Sequence, residues 1–337
     1  MSDAHTTAAG PVAWIDAALG YIARGERAVL ALVTEHRGSA PRDTGSWMLI
    51  SPDQALATLG GGELERTALE AGRAMLSGEG TWQRSIMRCV LGPDLRQCCG
   101  GTVELLLEPL AADAHGWLKT TQRAAEASSS GLVLFDKTDP AKAPRVIASP
   151  STAQENSADL HLQSLADPRS QLALFGAGHV GRALCAIAAQ LPLRVSVYDS
   201  RSEQCALVIP AANITVVHVP DPVDAAGALA TDSAVLIMTH SHALDYALCR
   251  AVLCRGPRHG YVGLIGSHSK AQRFRRALKK DELAPAAIAH LTSPIGRQGP
   301  AGKEPGVIAL NALVEILTQA TARTDMPVSL PEQPASR

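Results

Sequence analysis

The chain has 337 residues, and 46% of them are apolar, so it can bury a substantial core and two domains are expected. Its 31 basic and 32 acidic residues give a net charge of −1, which provides no general attraction to nucleic acid or an anionic membrane, so neither is expected as a partner. No apolar run approaches the roughly 18 residues that a bilayer span needs. Since the N-terminus lacks a signal-peptide pattern, a cytoplasmic protein is expected.

Residues 1–136 are predicted to form a small α/β domain, because helical and strand-like apolar patterns alternate with polar turns. The predicted elements are, in chain order, a helix over 14–23, a strand over 28–34, a polar turn over 35–45, a strand over 46–51, a helix that opens at 59–65 and runs to about 77, and strands over 85–91 and 102–107. One more strand, over 131–136, is a further candidate. Residues 137–170 are rich in Pro, Ala, Ser and charge, and we expect an exposed linker there.

Residues 171–325 are predicted to form a second α/β domain with a parallel sheet covered by helices, because strands and helices alternate along them. The predicted elements are a strand, glycine turn and helix over 172–191, strands over 195–198, 214–219 and 234–239, a helix over 243–254, a strand over 261–265 and a final helix from 307 to about 323. The Pro- and Ser-rich tail, 326–337, is expected to be disordered.

A G-x-G-x-x-G turn follows the first strand of this second domain. Gly176, Gly178 and Gly181 occupy its glycine positions, and Asp199 follows the next apolar run. This combination indicates a dinucleotide site, in which the turn and the following helix hold a pyrophosphate and the acid accepts hydrogen bonds from a ribose. Arg201 would instead suit a phosphate on that sugar, so the nucleotide stays open. The alternative is an ordinary strand-end turn with exposed charge.

Two histidines follow another predicted strand end, in the pattern H-x-H-x-x-D. His240 and His242, with Asp245, offer ligands for a metal or contacts for the polar groups of a bound molecule. The alternative is that Ser241 caps a helix and both histidines face solvent. The basic residues between Lys270 and Lys280 are spread around a helix, which favours a solvated surface over an anion site.

The first domain contains a second glycine-rich turn and an arginine after a proline. Gly60, Gly61 and Gly62 open a helix and offer backbone donors to a phosphate, although a tight packing turn is the alternative. Pro41 stiffens the preceding turn, and the planar guanidinium of Arg42 suits bidentate recognition of a phosphate or of carbonyl edges.

The chain's seven cysteines are an odd number without a secretory signal, so a disulfide framework is not expected. Cys98 and Cys99 stand between Arg96 and the glycines Gly100 and Gly101. A thiol beside positive charge ionises more readily, and the thiolate can accept sulfur, bind a soft metal or attack an electrophile. The alternative is a buried cysteine pair in a hairpin.

These motifs resemble one known family. Segments 35–42, 60–65 and 97–101 are similar to the N-terminal domain of XdhC/CoxI proteins, the xanthine dehydrogenase accessory proteins. Segments 175–181, 239–245, 265–267 and 293–296 resemble the Rossmann domain that this family carries at its C-terminus. Ser241 departs from the family pattern, which often has Asp between the two histidines.

The resemblance implies a chaperone, not a catalyst, that binds molybdenum cofactor (molybdopterin), protects its sulfurated form and inserts it into apo xanthine dehydrogenase. It also implies contact with a cysteine desulfurase. The cofactor-binding positions that it implies are Arg42, Gly60, Gly61, Gly62, Cys99 and Gly100 in the first domain, and Gly176, Gly178, Gly181, Asp199, His240 and His242 in the second, with Cys99 as the ligand of the metal. A dinucleotide is a further candidate ligand, and a homodimer is the default assembly.

Two other functions stay open. The glycine turn and Asp199 are also compatible with an NAD(P)-dependent oxidoreductase that uses a histidine as acid or base. They are equally compatible with a nucleotide-sensing interaction module without chemistry, because dinucleotide folds host many functions.

Overall fold

The structure is a computed structural model that describes residues 10, 12–92, 100–127, 131–148, 159–256, 259–297 and 299–324, with side chains through residue 319. The chain divides into two compact units, Met1–Pro168 and Arg169–Arg337. They are called the N-terminal and the C-terminal unit below. The described part of the chain contains no helix with both the length and the apolar character required to traverse a lipid bilayer.

The N-terminal unit is built on a five-stranded antiparallel sheet in the order β3-β2-β1-β5-β4. Its strands are β1 (Ala28–Arg37), β2 (Trp47–Ile50), β3 (Ala55–Ala57), β4 (Ser85–Val90) and β5 (Thr102–Leu110). The first six residues of β1 are all apolar because both faces of the sheet are covered. Leu30 and Leu32 enter one core, whereas Val29 and Ala31 enter the other.

Three helices cover the two faces of this sheet. They are α1 (Ala13–Ala23), α2 (Gly62–Ser77) and α3 (His115–Ala127), the last preceded by a 3₁₀ turn over Ala112–Ala114. Trp14 of α1 and Leu118 of α3 pack in the core of Leu30, and Leu64 and Ala68 of α2 pack in the core of Val29. Helix α2 ends at Gly78, whose φ of 85° gives the left-handed cap that glycine favours.

The segment expected to be a linker, 137–170, differs in the structure from that expectation. Strands β6 (Leu132–Asp136), β7 (Arg145–Ile147) and β8 (Leu160–Ser164) form an antiparallel sheet in the order β7-β6-β8. In β8 apolar and polar residues alternate, but the buried positions are the polar ones, His161 and Gln163, which is the reverse of the usual pattern of a half-buried strand. Residues 149–158, part of the same expectation, lie outside the described residues, as does the predicted tail 326–337.

A buried ion pair joins this small sheet to the large one. Arg84, the residue before β4, has its Nε 2.5 Å from Glu108 Oε2 of β5, and the two side chains are 1% and 8% exposed. Arg84 Nη1 also donates to the carbonyl oxygen of Asp136, 2.7 Å away, at the end of β6. Burial raises the pKa of Glu108, and the hydrogen bond from Arg84 opposes that effect.

The C-terminal unit contains a six-stranded sheet in the order β11-β10-β9-β12-β13-β14, with every pairing parallel. Its strands are β9 (Ser170–Phe175), β10 (Leu193–Asp199), β11 (Ile214–His218), β12 (Ala234–Ile237), β13 (Tyr261–Leu264) and β14 (Leu291–Thr292). Numbered within the unit, this order is that of the doubly wound dinucleotide-binding fold. The expected α/β class with a parallel sheet is confirmed.

Helices lie on both faces of this parallel sheet. They are α4 (His179–Ala188), α5 (Ser202–Cys205), α6 (Pro222–Gly227), α7 (His242–Leu253), α8 (His268–Lys280), α9 (Pro285–Ala289) and α10 (Pro305–Thr324). Leu184 of α4 and Leu313 of α10 pack against one face with Leu174, and Leu248 of α7 and Phe274 of α8 pack against the other. The reversal of strand order between β9 and β12 leaves a crevice at the carboxyl ends of these two strands.

Candidate functional site

Three turns that the sequence singles out meet in the N-terminal unit. They are the loop after β1 (38–46), the glycine turn before α2 (60–62) and the residues before β5 (100–101). A Cβ atom on Gly60, whose φ is 100°, would lie 2.6 Å from Pro41 Cβ. The Gly101 amide donates to the carbonyl oxygen of Ser39, 3.1 Å away. The loop 38–46 therefore contacts both glycine segments, and Gly60 is required for one of these approaches.

The amides of the glycine turn already have an anionic acceptor inside the unit. Glu65 Oε2 accepts hydrogen bonds from Leu59 N at 3.0 Å and from Gly61 N at 3.1 Å, as well as from the Thr58 hydroxyl. Gly60 N donates to Thr58 Oγ1 at 3.0 Å. The Glu65 carboxylate thus accepts the amide hydrogen bonds that a phosphate would need. The turn therefore matches the alternative interpretation given above, a tight packing turn.

Arg42 is half-buried beside this turn. Its Cγ lies 3.3 Å from the position that a Cβ on Gly60 would occupy. No carboxylate within the described ranges pairs with the Arg42 guanidinium. Arg37, the last residue of β1, pairs instead with Glu35 at 2.7 Å. Arg42 is therefore the cation of this turn cluster that remains available to an anionic or carbonyl-bearing ligand.

Cys98 and Cys99 lie in the segment 93–99, outside the described residues. The predicted role of Cys99 as a thiolate ligand therefore stays a prediction from the sequence. Gly100, the first described residue after this segment, is exposed, and Gly101 is buried.

The expected linker supplies two residues to the turn cluster that the sequence did not indicate. Gln163 Nε2 donates to the carbonyl oxygen of Gly45 at 3.2 Å, and His161 Nε2 lies 3.2 Å from Gln163 Oε1. Burial lowers the pKa of His161, so the imidazole is held neutral. The alternation Leu160-His161-Leu162-Gln163 has the period of a strand, and this is the signal that could have identified the pair.

In the C-terminal unit the three glycines of the G-x-G-x-x-G turn have different surroundings. A Cβ on Gly176 would lie 2.4 Å from the Met238 carbonyl oxygen, and one on Gly181 would lie 2.0 Å from that of Gly176. A Cβ on Gly178 would meet nothing within 4 Å. Gly178 precedes α4, where no side chain caps the first turn. Two glycines therefore permit packing, and the third leaves the start of α4 open to a ligand.

Asp199 lies at the end of β10, where the fingerprint places the acid, but it is 4% exposed. Its carboxylate accepts hydrogen bonds from Ala177 N at 2.8 Å and from Arg201 N at 3.0 Å. Arg201 Nε and Nη2 bind its two oxygens at 2.9 and 2.7 Å. Burial would raise the pKa of Asp199, yet these hydrogen bonds outweigh it and hold that pKa below its ordinary value.

His240 and His242 are both exposed at the start of α7. Ser241 Oγ caps that helix by accepting from Leu244 N at 3.4 Å, and His242 Nδ1 lies 3.0 Å from Arg273 Nη2. No group of three metal-ligating side chains occurs within the described ranges. The geometry is therefore that of the alternative, a capped helix with two histidines facing solvent.

Asp245, the acid of the same pattern, is fully buried in a polar cluster. Lys270 Nζ lies 2.5 Å from Asp245 Oδ2, and the Lys270 side chain is 9% exposed. Asp245 Oδ1 accepts from Thr239 N at 3.0 Å, and Lys270 Nζ also donates to the Ile265 carbonyl oxygen at 2.9 Å. Lys270 thus pairs with Asp245 close to the ends of β12 and β13, and it does not share the solvated surface of Arg273 and Arg276.

Comparison with known proteins agrees with this division into two units. Residues 21–86 match the model of the XdhC and CoxI family, and residues 172–316 match that of the XdhC Rossmann domain. The uncharacterized protein YqeB of Escherichia coli K12 is 33% identical over 154 residues, which are 44% of this chain but only 27% of YqeB.

A crystal structure from Bacillus halodurans, described as that of a xanthine dehydrogenase, superimposes with a TM-score of 0.71. The superposition covers 96% of this chain and 98% of that one at 22% identity, so the likeness concerns the fold. Both family matches fall on the segments whose geometry is described above, in the same order along the chain. The chain belongs to the XdhC and CoxI family.

Proposed function

We propose that this chain is an accessory protein of xanthine dehydrogenase that binds molybdenum cofactor, protects its sulfurated form and inserts it into the apoprotein. The observation that carries the proposal is the meeting of the loop 38–46 with Gly60 and Gly101, which leaves Arg42 as a half-buried cation at the junction. Family membership supports it, because the loop 38–46 and Gly60 both lie within residues 21–86, which match the XdhC and CoxI family model.

The residues present fit the cofactor in part. Its phosphate tail needs a cation or free amides, and Arg42 supplies the cation, whereas the amides of Leu59 and Gly61 are taken by Glu65. A phosphate would meet repulsion from that carboxylate, so we assign anion recognition to Arg42 and not to the glycine turn. Cys99 is proposed as the soft ligand on the strength of its sequence context.

The chain's own groups would bind and hold the cofactor but would not transform it. When bound, the cofactor brings the redox-active metal that the client enzyme needs. Arg42 would hold the phosphate, and Gln163 would keep the loop that carries Arg42 in place through Gly45. The proposed partners are therefore the xanthine dehydrogenase apoprotein, which receives the cofactor, and a cysteine desulfurase, which supplies its terminal sulfur.

The experiment is to purify the chain from cells that make molybdenum cofactor and from cells that cannot, and to measure molybdenum and oxidised pterin per chain. Arg42→Met should lower the molybdenum retained about tenfold or more, because a charge-assisted contact to phosphate is lost. Arg37→Met is the matched control, since Arg37 is exposed and pairs with Glu35. It should retain molybdenum as the parent chain does.

Transfer is measured by adding the loaded chain to apo xanthine dehydrogenase and following the appearance of activity. Cys99→Ala should keep the fold but lower retention or transfer. Chain from cofactor-producing cells that contains no molybdenum and does not activate the apoenzyme would contradict the proposal. Equal retention by the Arg42 and Arg37 variants would remove Arg42 from the site.

A further inference from the structure

Asp199 holds the position from which an acid reads the ribose of a bound dinucleotide. An ionised carboxylate has about four acceptor positions on its two oxygens. In this chain those positions are filled by two backbone amides, of Ala177 and Arg201, and by the Nε and Nη2 atoms of the Arg201 guanidinium. No acceptor position is left for the hydroxyl groups of a sugar.

The two guanidinium bonds have the pattern that a ribose diol would make. Arg201 Nε binds Oδ1 at 2.9 Å and Nη2 binds Oδ2 at 2.7 Å, so one donor reaches each oxygen. A cis-diol would likewise direct one hydroxyl to each oxygen of the acid. The arginine bonds are charge-assisted and therefore stronger than those from neutral hydroxyl groups. A ribose would have to displace them.

We propose that Arg201 is a specificity-determining residue that closes the ribose subsite of the crevice by occupying Asp199. The C-terminal unit thereby rejects NAD-type dinucleotides although it carries their glycine turn, and it leaves the open start of α4 for anionic ligands without a ribose diol. Arg201 and Asp199 are two residues apart, so their ion pair is a local contact. It can form as soon as the end of β10 is folded.

An Arg201→Met variant removes the closure at a cost in stability, because Asp199 is 4% exposed and loses its cation. In an Arg201→Met variant, Asp199 keeps the hydrogen bonds from the Ala177 amide and from the backbone amide of residue 201. Methionine retains much of the apolar stem of Arg201, whose side chain is 28% exposed. The variant is expected to fold and to present one free acceptor position on each oxygen of Asp199.

The experiment measures NAD⁺ binding by calorimetry to the purified full chain and to three variants. Arg201→Met should bind NAD⁺ at least about tenfold more tightly than the parent chain. Adding Asp199→Ala to Arg201→Met should abolish that gain. Arg250→Met, which removes an arginine paired with Asp281 elsewhere in the unit, is the matched control and should bind as the parent does.

Two ligands that differ only in one ribose hydroxyl group test whether the variant recognises the ribose diol. ADP should gain affinity in Arg201→Met, and 2′-deoxy-ADP should not, because it lacks one of the two hydroxyl groups. Arg201→Lys keeps the charge without the planar fork, and we expect an intermediate affinity. It also serves as the test variant if Arg201→Met lowers the thermal midpoint.

Two outcomes would overturn the proposal. One is a parent chain that binds NAD⁺ as tightly as Arg201→Met, and the other is a gain that persists when Asp199 is replaced. Nucleotide binding is measured on the chain alone, so these results are independent of whether the chain carries molybdenum cofactor. The thermal midpoint of Arg201→Met, measured separately, distinguishes a closed subsite from a general loss of the fold.

Discussion

The side-chain amide of Gln163 donates a hydrogen bond to the carbonyl oxygen of Gly45, 3.2 Å away, across 118 positions of the chain. Gly45 has a φ of 88° and belongs to the loop 38–46, which carries Arg42. Gln163 is 3% exposed in strand β8. A strand in the segment that composition suggested was a linker thus fixes the conformation of the loop at the candidate site.

Replacing Gln163 with Leu should loosen that loop. The Gly45 carbonyl would lose its donor from β8, at a cost of about 1–3 kcal/mol if no water replaces it. Hydrogen exchange of the amides of Gly45 and Ser46 should accelerate, and the molybdenum retained per chain should fall. Gln83→Leu, at an exposed glutamine, is the control. Unchanged exchange in the Gln163 variant would show that the loop is held by other contacts.

Gly60→Ala should destabilise the N-terminal unit more than Gly61→Ala. Both glycines have positive φ, 100° and 75°, so each substitution incurs about 1–2 kcal/mol of backbone strain. A Cβ on Gly60 would also meet Pro41, at 2.6 Å, whereas one on Gly61 would meet nothing within 4 Å. Overpacking of this kind adds about 1–3 kcal/mol.

The measurement is denaturant unfolding followed by tryptophan fluorescence. All four tryptophans, at positions 14, 47, 82 and 117, lie in the N-terminal unit, so the signal reports on that unit. Equal losses for the two variants would mean that the approach of Gly60 to Pro41 is not tight in solution.

Gly178→Ala and Gly181→Ala should separate ligand access from stability. A Cβ on Gly181 would lie 2.0 Å from the Gly176 carbonyl oxygen, which is backbone and cannot swing away, so this variant should lose several kcal/mol, on the order of 2–3. Gly178 has a φ of −70° and open space around it, so alanine should leave the thermal midpoint nearly unchanged. Its methyl group should instead weaken any ligand that approaches the start of α4. A large loss of stability in Gly178→Ala would contradict this assignment.

Arg84→Met should be among the most destabilising single changes in the N-terminal unit. It would leave Glu108, whose side chain is 8% exposed, as a buried carboxylate without its cation, at a cost of about 3–5 kcal/mol. Burial raises the pKa of Glu108, and loss of Arg84 should raise it further. The loss of stability relative to the parent chain should therefore become smaller as the pH falls, because a protonated Glu108 no longer needs the cation.

Arg66→Met is the control for this ion pair. Arg66 pairs with Glu63 and Glu70 on the exposed face of α2, and its loss should change stability little. Tryptophan fluorescence in urea at pH 7 and pH 5 measures both variants. A defect in Arg84→Met that is the same at both pH values would show that Glu108 does not take up a proton.

His161 should make the N-terminal unit less stable in mild acid. Burial lowers its pKa in the folded state below the ordinary value of 6.5, so between these two values the unfolded chain binds the proton more readily. Stability from this group is therefore fully present above pH 6.5 and is lost as the pH falls toward the folded pKa. Unfolding measured from pH 7.5 to 5 should show this slope, and His161→Gln should flatten it. A slope that is identical in both chains would assign it to other groups.

Much of the C-terminal unit could be predicted from the sequence because its signals are local. The apolar run before Gly176, the G-x-G-x-x-G spacing and the alternation of strands and helices each lie within a few turns of chain. These patterns predicted the parallel sheet, and the turn lies at the end of β9 as expected. Strand β3 and helix α3 were not predicted, since their shorter or weaker patterns depend on packing against β2 and α1.

What the amino-acid sequence determined by itself is the family, the α/β class and the positions of the turns, because periodicity and glycine chemistry act between near neighbours. Tertiary structure decided which groups in those turns are available to a ligand. Glu65 occupies amides of the glycine turn, and Arg201 occupies the acid of the fingerprint. Gln163 supports a loop far away in the chain. Such pairings depend on the directions of side chains in three dimensions, and a pattern of residue types does not contain them.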